Sequence, residues 1–111
     1  MASSIFTSFT LPNGQIIKNR LVKAAMEENL ATFEHLPGDE LKRLYKSWAD
    51  GGVGLIITGN VMVDHLAMTG PAGVVLEQDT DLTSFIDLAR LSKTNDTRIW
   101  MQINHPGRQV F

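Results

Sequence analysis

Residues 53–58 read "VGLIIT", apolar at consecutive positions instead of alternate ones. No other feature restricts the fold as much. A strand with one wet face alternates polar and apolar side chains, whereas a strand covered on both faces is apolar throughout. Such cover comes from helices, and a suitable one precedes the run. Across residues 39–50, Leu41, Leu44, Tyr45, Trp48 and Ala49 fall at helical spacing and leave a charged opposite face. Asp39 is the expected N-cap, and Gly51 the expected left-handed residue after the last turn. Tyr45 and Trp48 read first as core packing.

The same unit recurs. Residues 80–92 form a second expected amphipathic helix, with Leu82, Phe85, Ile86 and Ala89 as its buried stripe. "KTNDT" closes it, and residues 99–104 make another apolar strand. The strand at 53–58 is expected to end at Thr58–Asn60, with a long connection through Gly70, Pro71 and Gly73 behind it. Upstream, residues 21–25 give a brief apolar strand interrupted by Lys23, then a loop through His35, Pro37 and Gly38. Before that, a Pro-Asn-Gly turn between apolar segments at 9–11 and 16–17 signals a hairpin.

The order is hairpin, then β, α, β, α, β, which argues for an α/β fold with a parallel sheet and helices outside it. A doubly wound sheet and an eight-fold barrel both begin this way, and both place their chemistry at C-terminal strand ends. Here those ends are residues 25–29, 58–61 and 102–108. Three strands and two helices leave open sheet edges and an incomplete core. Residues 1–111 are therefore read as the N-terminal part of one larger domain.

Composition narrows the function classes. A formal net charge of -2, with 20% charged and 43% hydrophobic residues, argues against disorder and gives no basic footprint for nucleic acid. Lys18, Arg20 and Lys23 read as a solvated cluster. No apolar run reaches membrane-spanning length, and the N-terminus lacks the features of a signal peptide. The absence of cysteine fits a cytoplasmic setting.

Gln102 stands out by position, since an amide unsatisfied inside an apolar strand costs about 1–3 kcal/mol. It alternates with Met101 and Ile103, so it faces the other way; in a barrel it would point inward, and otherwise it pairs with a neighbouring strand. His105 and Arg108 follow across a Pro-Gly turn and suit an anionic or electron-rich ligand, or else anchor the loop. Glu27 and Glu28 could act as bases or simply be solvated; in extended chain they face opposite ways. "DGGVG" precedes a strand, so it is no phosphate loop. His35, His65 and His105 are isolated in sequence, and no metal site is expected.

At the three strand ends the chain resembles the old yellow enzyme family, the FMN-dependent NAD(P)H:flavin oxidoreductases. The pieces "LPNGQIIKNRLVKAAM", "GGVGLIITGNVMV" and "MQINHPGRQ" come in the family's order, from Phe6 to Arg108. The resemblance implies a TIM barrel, (β/α)₈, of which this chain is about three βα units behind a bottom-covering hairpin. It implies FMN at the barrel mouth, NAD(P)H as reductant, and hydride transfer to the activated C=C bond of an enone-type small molecule. Ala24, Ala25 and Met26 match the stretch that runs along the flavin. Glu27 matches a position beside its reactive end that tunes its potential, commonly threonine or cysteine. Asn60 matches a usually smaller residue near the ring, and Gln102 the glutamine on the flavin's pyrimidine edge. His105 and Arg108 match the "H-x-G-R" signature and organise the third loop. The family's catalytic pair, tyrosine donor and phosphate loops fall outside these motifs, so the 111 residues alone are expected to be inactive.

Two other readings share the βα order. An aldolase-like barrel would need a Schiff-base lysine, for which Lys23 is the nearby candidate, although it reads better as snorkelling or flavin-adjacent. A truncated, non-catalytic protein is the other. Substrate, the choice of NADH or NADPH, and oligomeric state are not written in these motifs.

Overall fold

The structure is a computed structural model that describes residues 4–110. A hairpin comes first: β1 (Phe9–Thr10) pairs antiparallel with β2 (Ile16–Ile17). Gly14 supplies the left-handed turn residue at φ +90°, and Asn13 Oδ1 accepts the Gln15 N–H, as the Asn-Gly signal requires. Then follow β3 (Val22–Lys23), α1 (Asp39–Asp50), β4 (Leu55–Met62), β5 (Val74–Val75), α2 (Thr83–Ser92) and β6 (Arg98–Asn104). β4 is the hub of a parallel sheet. β3 pairs with its beginning, β5 with its end, and β6 along nearly its whole length.

The two helices cover one face of that sheet. Leu41, Tyr45 and Ala49 of α1, Phe85 and Leu88 of α2, and Ile56 and Val61 of β4 form one buried cluster. Complete burial of a side chain such as Ile56 contributes roughly 1.5–3 kcal/mol. The hairpin lies at the other end of the strands from the expected chemistry. Arg98, the first residue of β6, donates its Nε–H to Ile16 O (3.3 Å), and buried Asn19 donates to Gly52 O (2.7 Å) just before β4.

Several sequence expectations need correction. Gly38, not Asp39, is the N-cap of α1; Asp39 and Glu40 lie in the first turn, where their charge suits the helix's positive end. Gly51 stays right-handed at φ -71°, and the left-handed position falls to Gly52 at φ +104°. α2 begins three residues later than expected, because Asp81 Oδ1 accepts from the Thr83 N–H (2.9 Å) and hydroxyl (2.8 Å) in a turn ahead of it. Its buried stripe is Phe85, Leu88 and Ser92; Leu82 and Ile86 are exposed, and Ala89 is half-buried. α2 packs chiefly against α1, with β6 beside it, so a narrower stripe suffices.

The first parallel strand shrinks to Val22–Lys23, and the short β5 inside the long connection was not anticipated. β4 runs on through Thr58, Gly59 and Asn60 to Met62, past its expected end. β6 is mostly exposed, unlike the doubly covered strand its composition implied, since among the described residues nothing lies against its far face or outer edge. No helix of the described residues is long and apolar enough to cross a membrane.

Candidate functional site

β4 continues past Thr58 because it contains a bulge. Ile57 is opposite Trp100 and Asn60 is opposite Gln102, so Thr58 and Gly59 together face Met101 alone. The extra residue changes which way the strand's second half points. Ile56 and Val61 both pack on the helices although they are an odd number of residues apart. Asn60 is thereby turned to the helix-free face, with Gln102 directly beside it on the neighbouring strand. Ala24, next after Lys23 on β3, alternates onto the same face. Three of the expected site residues thus share one surface: Ala24 and Gln102 are exposed on it and Asn60 is half-buried. Gln102 is not an amide enclosed in a strand, as its apolar surroundings suggested; its side chain is exposed, while its backbone N–H donates to Thr58 Oγ1 (2.9 Å).

The rim of this face is tied together by a residue that sequence reasoning missed. Thr69 donates its hydroxyl to Glu27 Oε1 (2.5 Å) and accepts a long hydrogen bond from Asn60 Nδ2 (3.4 Å). The exposed Glu27 is therefore linked to Asn60 through one hydroxyl. Ala25 is half-buried and Met26 exposed beside it. His105 and Arg108 are exposed beyond β6. The His105 Nδ1 accepts the Gly107 N–H (2.9 Å), which puts the ring proton of the neutral form on Nε2, and Arg108 lies in the turn Gly107–Gln109. The hydrogen bond to His105 organises the loop.

Behind the sheet lies a second polar group that the residue types did not announce. Lys23 is buried on the helix side, not beside the site; its Nζ donates to Ile57 O (2.9 Å), pairs with Glu28 Oε2 (3.6 Å) and sits 4.7 Å from the Trp48 ring centre. Burial pushes its ammonium below the usual lysine range, and the Glu28 charge and hydrogen bond oppose that shift. A lysine held in this pair is no Schiff-base candidate for a ligand on the opposite face. Tyr45 donates to Glu28 Oε2 (2.6 Å), and the Gly59 N–H is shared between that oxygen (3.2 Å) and Tyr45 Oη (3.1 Å). Burial, followed by the Glu28 hydrogen bond and charge, raises the Tyr45 hydroxyl above the ordinary phenol range, so it stays a donor. The signal was present in the chain: a lysine in an apolar strand demands an anion, and Glu28 is the one its strand-end turn can supply. Glu27 and Glu28 do face opposite ways.

Asp64, His65 and Glu77 gather ligand-capable atoms within 4.8 Å, an arrangement their sequence separation hid. His65 Nδ1 already pairs with Glu77 Oε2 at 2.8 Å in an exposed position. That bond and the Glu77 charge raise the His65 imidazole above its ordinary value, while the His65 N–H and ring hold the Glu77 carboxyl below its own.

A parallel βα wall with an amide-bearing face at its strand ends defines the class: a sector of an α/β fold with polar side chains gathered where such folds place their ligands. Residues 4–111 match the NADH:flavin oxidoreductase / NADH oxidase family, and the chain belongs to it. It is 36% identical over 104 residues to the NADH-dependent flavin oxidoreductase iliE of Hypocrea jecorina, covering 90% of this chain and 26% of that protein. With the NADH oxidase of Thermoanaerobacter brockii it shares 38% identity over 96 residues, 86% of this chain and 15% of that protein. Its fold superposes on the old yellow enzyme from Trypanosoma cruzi with a TM-score of 0.82 at 21% identity, over 97% of this chain and 28% of that one. On a 2-naphthoyl-CoA reductase complex the TM-score is 0.89 at 20% identity, over 97% and 16%. The chain therefore spans about a quarter or less of the relatives it matches.

Proposed function

We propose that this chain forms the first sector of an eight-fold βα barrel and one wall of an FMN site. The enzyme it serves moves hydride from NAD(P)H to the activated C=C bond of an enone-type small molecule. The observation that carries the reading is the shared face of Ala24, Asn60 and Gln102, with Glu27 and Thr69 at its rim. Its donor set fits a flavin. The Gln102 amide both donates and accepts, which suits the alternating edge of a pyrimidine ring, and the methyl side chains of Ala24 and Ala25 leave room for a flat ring. FMN, when bound, supplies the hydride chemistry, and the protein supplies binding and orientation.

In this reading Gln102 would bind the edge of the ring, Asn60 and the backbone after β3 would hold it, and Thr69 restrains the Glu27 carboxylate at the rim. His105 and Arg108 shape the third loop at the mouth. The remaining strands, the substrate-binding side chains and the proton donor come from outside these residues, so the 111-residue chain by itself does not turn over NAD(P)H.

The test is a chimera in which residues 4–111 replace the matching segment of the iliE relative. It should retain FMN and oxidise NADH, and Gln102→Ala in it should weaken FMN about tenfold, the equivalent of one good hydrogen bond to the ring. A chimera that is folded by circular dichroism yet colourless would overturn the reading.

A further inference from the structure

The bulge in β4 is held from behind. Its surplus N–H, on Gly59, has no ladder partner and is satisfied by Glu28 Oε2 and Tyr45 Oη. Its first residue, Thr58, uses its hydroxyl as a substitute ladder acceptor for the Gln102 N–H and donates onward to Gly59 O (2.9 Å). Gly59 also has no room for a side chain: a Cβ there would collide with the Met26 carbonyl oxygen and the Glu28 carboxylate. The carboxylate is in turn fixed by Lys23, whose side chain reaches across to the Ile57 carbonyl one residue before the bulge. The Lys23, Glu28, Tyr45 and Thr58 side chains around the extra residue are thus each paired, which is the condition for a buried network to impose one geometry.

We infer that Glu28 and Tyr45 are positioning residues for the site on the opposite face. By binding the Gly59 N–H they lock the bulge, and the bulge alone brings Asn60 beside Gln102. Without it the simple alternation of β4 would set Asn60 against the helices and turn Val61 toward the ligand face. Neither Glu28 nor Tyr45 touches that face; they act through the phase of the strand. The inference rests on the flavin reading only for what the face binds, since the phase of the strand is a property of the protein alone.

The test uses the full chain and three variants: Glu28→Leu, Tyr45→Phe and the conservative Glu28→Gln. The first readout is flavin-independent: amide hydrogen exchange at Gly59 and the nuclear Overhauser contacts between Asn60 and Gln102. Glu28→Leu should speed Gly59 exchange at least about tenfold, as expected for loss of a hydrogen bond to a charged group, and should weaken the Asn60–Gln102 contacts. Tyr45→Phe, which removes one of the two acceptors without removing the carboxylate, should do so to a lesser degree, and Glu28→Gln should restore most of the protection. Unchanged Asn60–Gln102 contacts in folded Glu28→Leu and Tyr45→Phe would overturn the inference.

The second readout is FMN titration of the iliE chimera with and without the same three substitutions, following the shape of the visible flavin bands. A changed band shape in Glu28→Leu, rescued in Glu28→Gln, carries the positioning role through to the flavin; an unchanged shape with altered contacts overturns it. An unsubstituted chimera that is folded yet leaves the bands of free FMN unperturbed sinks the flavin reading, while the exchange and contact data still decide whether the clasp exists.

Discussion

At the scale of single residues, two neighbouring glutamates show how position divides chemistry. Glu28 is drawn behind the sheet to Lys23 and Tyr45, while Glu27 stays at the rim, bonded to Thr69. A negative side chain beside a flavin opposes the gain of electrons, so Glu27→Thr in the FMN-bound chimera should raise the midpoint potential. The shift is on the order of 30 mV, the two-electron equivalent of roughly 1.4 kcal/mol; a potential that does not move would show that the carboxylate lies too far from the ring. The His65–Glu77 pair makes a separate prediction. The raised imidazole contributes stability below its ordinary 6.5 and loses it as the pH climbs past the raised value. The lowered carboxyl contributes above its ordinary 4.5 and loses that as the pH falls past the lowered value. Glu77→Gln should therefore lower the melting temperature most between pH 4.5 and 6.5, and have little effect well above the histidine range. Gln102 was legible in the sequence as an amide out of place. Thr69 was not, because its partners Asn60 and Glu27 are 9 and 42 residues away and meet only when the chain folds back over the end of β4.

At the scale of elements, the apolar face of α1 and the unbroken run at the start of β4 were readable because one neighbour decides each of them. α1 buries Leu41, Tyr45 and Ala49 as its spacing implied. Ile56, fully buried between the helices and the sheet, should cost about 2–5 kcal/mol when cut to alanine, measurable by urea unfolding. The same cut at Leu82, more than half exposed, should cost far less. The bulge was not readable. "TGN" at residues 58–60 carries turn-like residues and reads as a strand end, since the acceptors that let the strand continue belong to a helix and a loop elsewhere in the chain. The late start of α2 has the same origin in local side-chain bonds that periodicity does not record.

At the scale of the whole molecule, the hairpin and the candidate site occupy opposite ends of the parallel strands. The parallel βα order emerged from sequence because alternating helix and strand patterns permit few topologies. Burial along β6 did not, because composition does not tell which other segments lie against a strand. In the described residues Trp100, Met101 and Ile103 are exposed, and the outer edge of β6 pairs with no strand. An apolar, unpaired edge of this kind recruits other chains. The isolated 111-residue protein should self-associate as its concentration rises, and Ile103→Lys should shift sedimentation toward the monomer. A wild-type chain that stays monomeric at every concentration would contradict this.

The bulge also splits β4 into two stretches of opposite parity. Before it, the odd positions Leu55 and Ile57 look away from the helices; after it, the even positions Asn60 and Met62 do. In a saturation library, the position of β4 most tolerant of polar side chains should therefore be odd before the bulge, at half-buried Ile57, and even after it, at half-buried Asn60. A single-codon deletion there would be worse than any substitution, because it would exchange the inside and the outside of everything that follows in the strand.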